Sequence, residues 1–141
     1  VVKQQFDIAK RVMEYGLIPI IEPEVNINAP QKAEIETLLK AELLLALQDI
    51  TLIDRIIFKL TLPEQDNLYE DLIKHPAVMR VVALSGGYSR ELANEKLSRN
   101  NGMIASFSRA LAEGLFVNLS EDDFNTQLEN SIDSIYQASI T

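Results

Sequence analysis

The chain of 141 residues contains no cysteine. That excludes disulfides and thiolate metal sites, and it favours an intracellular, cytoplasmic setting. It has one histidine, His75, which stands before Pro76 and reads as a loop residue. One histidine makes no metal site, and no cofactor is expected. Positive charge is scarce: 13 basic against 21 acidic residues leave a net charge of -8. This argues against broad nucleic-acid binding and against attraction to an anionic membrane. No apolar run approaches the roughly 20 residues of a membrane span. The opening "VVKQQFDIAKRVMEYG" has neither a signal-peptide layout nor an initiator methionine, so the chain is expected to be a piece entered midway. Low-complexity segments and linkers are also missing. What is present, 47% hydrophobic and 24% charged residues, is ordinary for a globular protein. The length suits one domain, or part of a larger one.

Apolar periodicity divides the chain into alternating elements. Phe6, Ala9, Val12 and Met13 share one face of a helix from Val2 to Tyr15, and Gly16 stands where a C-terminal cap belongs. Strands are expected at about 17–22, 54–60, 78–84 and 103–107. Between them "APQKAEIETLLKAELLLALQ", "LYEDLIKH" and "SRELANEKLSR" read as helices, the last with Ser89 as N-cap. "RALAEGL" opens another, and a terminal helix at about 121–138 has Ser120 as N-cap and acids in its first turn. The apolar strands read as buried on both faces. Strands alternating with helices in this way predict a parallel sheet in an α/β fold, with residues 1–141 forming part of a single domain.

Each expected strand ends in something other than core filler. The first ends at Glu22, Pro23 and Glu24, and the second carries Lys59. The third gives Ser85, Gly86 and Gly87, and the fourth gives Ser106 to Arg109. These groups lie far enough apart in sequence for a strand–helix–strand unit between each pair. Reactive groups at successive strand C-termini are the layout of a (β/α) barrel's active face, though a doubly wound sheet accepts the same order of elements. The glycines and the arginine on the last two strands favour the barrel, where the loops after the final strands commonly hold phosphate. Backbone N–H groups of "SGG" and the guanidinium of Arg109 suit a phosphorylated substrate. The alternative for Arg109 is an i,i+4 pair with Glu113.

Lys59 lies among Ile56, Ile57, Phe58 and Leu60, where a desolvated ammonium is costly unless paired or shifted in pKa for chemistry. An apolar setting and a nearby cation would lower its pKa, and a neutral amine attacks a carbonyl to form a Schiff base. Glu22, on the neighbouring strand end, could relay protons. The iminium would then accept the electron pair released when a carbon–carbon bond breaks.

The stretches "GLIPIIEPEV", "IFKLTLP", "VALSGGYSRELANEKL" and "MIASFSRAL", in this order and spacing, resemble class I fructose-bisphosphate aldolase, in the form found in bacteria. The resemblance covers essentially the whole chain. It implies a metal-independent lyase that cleaves fructose 1,6-bisphosphate, in glycolysis and gluconeogenesis, on a complete (β/α)8 TIM barrel. This chain would supply about the last four strands and their helices. By resemblance Lys59 forms the Schiff base, Glu22 is the general acid/base and Glu24 supports the electrostatics near the lysine. Ser85, Gly86, Gly87, Ser108 and Arg109 would contact substrate phosphate. The family's catalytic aspartate and further lysines on earlier strands have no match here, so the remaining N-terminal half of the barrel is an expected partner, and a homo-oligomer is another. Other readings are a Schiff-base aldolase acting on a different phosphorylated sugar, and a non-catalytic half-barrel. Four strands with helices on one side would leave the barrel-facing side uncovered.

Overall fold

Helix-spaced apolar residues and short branched runs alternate along this chain, and the backbone follows them. The computed structural model describes residues 1–51 and 55–141. The elements are α1 (Val2–Met13), β1 (Ile20–Ile21), α2 (Lys32–Leu47), β2 (Ile56–Thr61), α3 (Glu70–Ile73), β3 (Val78–Leu84), α4 (Arg90–Ser98), β4 (Ile104–Ala105), α5 (Arg109–Ala112) and α6 (Glu121–Ser139). The strands form one parallel sheet in the order β1-β2-β3-β4. This is an α/β fold consistent with half of a (β/α)8 barrel.

The strand expected at 54–60 runs from Ile56 to Thr61, and Asp54 lies outside the described residues. The outer strands are shorter than the apolar runs that contain them. Of 17–22 only Ile20 and Ile21 pair, with Ile57 and Phe58, and of 103–107 only Ile104 and Ala105, with Val82 and Ala83. Among the described residues each outer strand has a neighbour on one side only, and Pro19 carries no N–H for a ladder. The two serine caps form: Ser89 Oγ accepts from Leu92 N at 3.3 Å, and Ser120 Oγ from Asp123 N at 3.1 Å.

Alternation along β2 and β3 places the core on one side. Ile56, Phe58, Leu60, Val81 and Ala83 are fully buried and pack with Phe6, Leu43, Leu47, Leu72 and Leu97 of the helices. The Phe6 and Phe58 rings lie 6.2 Å apart. The expectation of burial on both faces does not hold. Ile57, Lys59 and Val82, one residue out of phase, are only partly buried, and Ile20 of β1 is 59% exposed. Side chains alternate between faces along a strand, and the described helices cover only one of them. Among the described residues no helix is long and apolar enough to cross a membrane.

Candidate active site

Lys59 is the fourth residue of β2 and stands on the uncovered face. Its neighbour Phe58 pairs with Ile21 in the ladder, which brings Lys59 beside the residue that follows β1. Lys59 Nζ and Glu22 Oε1 are 2.8 Å apart. The amine is thus paired rather than isolated in the core. Glu22 keeps one side to solvent, at 42% side-chain exposure against 24% for the lysine. Pro23 is buried and Glu24 exposed. Both carboxylates and the lysine border a cavity of about 110 Å³ at the C-terminal end of the strands.

The far wall of that cavity includes Ser85, Gly86, Ser106, Ser108 and Arg109. Ser85 is buried, and its carbonyl accepts from Tyr88 N at 2.9 Å, closing the turn after β3. Gly86 and Gly87 have φ of +62° and +107°, a region that suits glycine. A Cβ on Gly86 would also stand 2.7 Å from Ile27 Cγ2, and one on Gly87 would stand 3.7 Å from Arg109 Nη1. The guanidinium therefore lies against the glycine turn, although the two come from different strand ends. Ser108 begins α5 without capping it through its side chain.

Arg109 does not pair with Glu113. The Glu113 carboxylate accepts instead from Arg90 N, and its carbonyl from Arg90 Nη1, each at 2.8 Å. Among the described residues the Arg109 guanidinium has no hydrogen-bond or ion-pair partner. An exposed guanidinium beside open backbone amides is a ready receiver for an anion.

Behind the turn lies an ionic cluster that sequence reasoning missed. Lys32 Nζ reaches Glu36 Oε1 at 2.5 Å, the Leu62 carbonyl at 2.7 Å and Glu64 Oε1 at 3.1 Å. Lys96 Nζ reaches Glu64 Oε2 at 3.1 Å, and Tyr88 Oη donates to Glu64 Oε1 at 3.0 Å. Burial pushes the Glu64 carboxyl up, but the hydrogen bonds from Lys32 and Lys96 outweigh it and hold the group at about 2 rather than 4.5. Burial, and then the Glu64 carboxylate, push the Tyr88 phenol up to about 12. The i,i+4 spacing of Lys32 and Glu36 was visible in the sequence, but such pairs are usually solvated. Nothing local indicates that this pair is buried. Among the described residues no group of three or more His, Cys, Asp or Glu side chains could hold a metal ion.

No protein-family model matches the chain. Curated proteins do. The chain is 55% identical over 140 residues to a protein of Porphyromonas gingivalis named fructose-bisphosphate aldolase class 1, covering 99% of this chain and 47% of that protein. It is 56% identical over 141 residues to the protein of that name in Synechocystis sp., covering 100% and 47%. The identity is 53% over 141 residues to the Clostridium acetobutylicum protein of the same name, covering 100% and 48%. The chain therefore spans about half the length of the curated relatives it matches.

Proposed function

We propose, on the premise that this chain matches the C-terminal half of the class 1 fructose-bisphosphate aldolases, that its parent protein cleaves fructose 1,6-bisphosphate reversibly to dihydroxyacetone phosphate and glyceraldehyde 3-phosphate through an imine on Lys59. The observation that carries this reading is the Lys59–Glu22 pair at 2.8 Å beside a cavity that also borders the Gly86 turn and Arg109.

In the proposed mechanism Lys59 passes a proton to the Glu22 carboxylate, and the neutral amine attacks the C2 carbonyl of the sugar. Glu22 gives a proton to the carbinolamine hydroxyl, which leaves as water, and an iminium forms. Loss of the C4 hydroxyl proton to the Glu22 carboxylate breaks the C3–C4 bond. Its electron pair moves into the iminium as an enamine, and the aldehyde departs. Protonation at C3 and hydrolysis then free dihydroxyacetone phosphate and the amine. The iminium is the electron sink, so the scheme calls for no metal. Glu24 contributes negative charge beside the lysine. Ser85, Gly86, Gly87, Ser108 and Arg109 hold a substrate phosphate. The proposed setting is the cytoplasm, in glycolysis and gluconeogenesis, and the partner of this half is the N-terminal half of the same barrel.

Borohydride reduction in the presence of dihydroxyacetone phosphate, followed by peptide mass spectrometry of the full-length protein, tests the reading. A reduced adduct is expected on Lys59. Its absence would remove the imine mechanism and leave a likeness of fold.

A further inference from the structure

Thr61 ends β2, two residues beyond Lys59 and on the same face of the strand, and it is only 1% exposed. Its hydroxyl accepts from Val25 N at 2.9 Å and donates to Val25 O at 3.0 Å. One hydroxyl can do both at once, so it fixes both main-chain groups of a single residue in the loop after Glu22. Between Glu22 and Val25 stands the buried Pro23, whose ring restricts its own φ and the conformation of Glu22. On its other side Glu22 follows Ile21, which is paired with Phe58 of β2. The loop carrying the carboxylate is thus tied before and after to the strand that carries the amine. The γ-methyl of Thr61 meets the third part of the site, lying 3.6 Å from where a Cβ on Gly86 would be.

We propose that Thr61 is a positioning residue, whose hydroxyl holds the Glu22–Val25 loop so that the Glu22 carboxylate stays within hydrogen-bond reach of Lys59. This rests on the aldolase reading above. The hydroxyl acts through loop geometry, so its loss slows the proton transfers and leaves phosphate binding in place. Thr61→Val keeps the shape and deprives Val25 N–H and C=O of their buried partner. Thr61→Ser keeps the hydroxyl and removes only the methyl.

The test is steady-state cleavage of fructose 1,6-bisphosphate by full-length wild type, T61V and T61S, with borohydride trapping on each. Displacement of a reacting group by about 1 Å costs on the order of 100-fold in rate. T61V is therefore expected to lose about 10- to 100-fold in kcat, while KM stays within about threefold and T61S stays near wild type. A T61V enzyme with wild-type kcat, or a T61S enzyme as slow as T61V, would overturn the assignment. Hydrogen exchange of the Val25 amide in the wild type checks it without any variant, should T61V fail to fold. Slow exchange supports the buried bond to Thr61, and exchange at the rate of an unprotected amide overturns it. If the wild type itself gives no adduct on Lys59, the aldolase reading fails and takes this assignment with it. If the adduct forms and T61V cleaves normally, only the role of Thr61 fails.

Discussion

Two side chains separated by 37 positions in sequence carry the proposed chemistry, and the sheet register makes them neighbours. Ile21 pairs with Phe58, so the residues that follow each, Glu22 and Lys59, leave their strands side by side. A lysine within "IIFKL" is unusual enough to be noticed in sequence, as is a Glu-Pro-Glu at the end of an apolar run. Arg109 is different, because an arginine at the start of a helix has many ordinary partners. Its freedom became visible only when Glu113 proved to be engaged by Arg90. Arg109→Ala is expected to raise KM for fructose 1,6-bisphosphate roughly 10- to 150-fold, the loss of a hydrogen bond to a charged group at about 1.5–3 kcal/mol. The expected effect on kcat is smaller. Michaelis curves of the full-length variant check this, and an unchanged KM would take Arg109 out of the phosphate site.

At the scale of elements, the ends of β2 and β3 are braced from behind. Glu64, just beyond β2, receives Lys32 from the start of α2, Lys96 from α4 and the hydroxyl of Tyr88 next to the glycine turn. The folded carboxyl titrates at about 2 against an ordinary 4.5. A lowered folded pKa gives stability that is fully present above the unfolded value and is lost as pH falls through the folded one. The denaturation midpoint of the wild type is therefore expected to exceed that of Glu64→Gln at neutral pH. The difference is expected to shrink as pH falls from about 4.5 towards about 2. Urea titrations of both proteins across that range check the sign, and a gap that widens in acid would contradict the assignment. This brace was not legible in sequence. Its members come from three segments, and each alone looks like a solvated helix or loop charge.

For the whole molecule, the decisive feature is a sheet covered on one side. Both outer strands are short and, among the described residues, have one neighbour each. Beside β4, Ile104, Phe107, Ile132 and Ile135 line an apolar groove of about 530 Å³, and beside β1, Ile8, Val12, Ile18 and Ile20 line one of about 400 Å³. Apolar surface of this kind on both edges and on one face calls for covering. Expressed alone, the chain of 141 residues is expected to sediment as a dimer or larger species. Supplied with the half that the relatives possess in addition, it is expected to form a closed heterodimer. A stable monomer of the isolated chain would contradict the reading of the face as uncovered.

The sequence by itself determined the α/β class, the parallel sheet and the family resemblance, because these rest on local quantities. Helical spacing, branched apolar runs, serine caps and the residues at strand ends are all readable within a few positions. Only the tertiary structure decided which face of the sheet the described helices cover, how short the outer strands are, and that Thr61 meets the Val25 main chain, Ile27 the glycine turn, and Glu64 the lysines of two helices. These depend on contacts between segments far apart in the chain. A threonine inside a strand, or a lysine four residues before a glutamate, has the same local pattern whether it faces water or is buried against a distant loop.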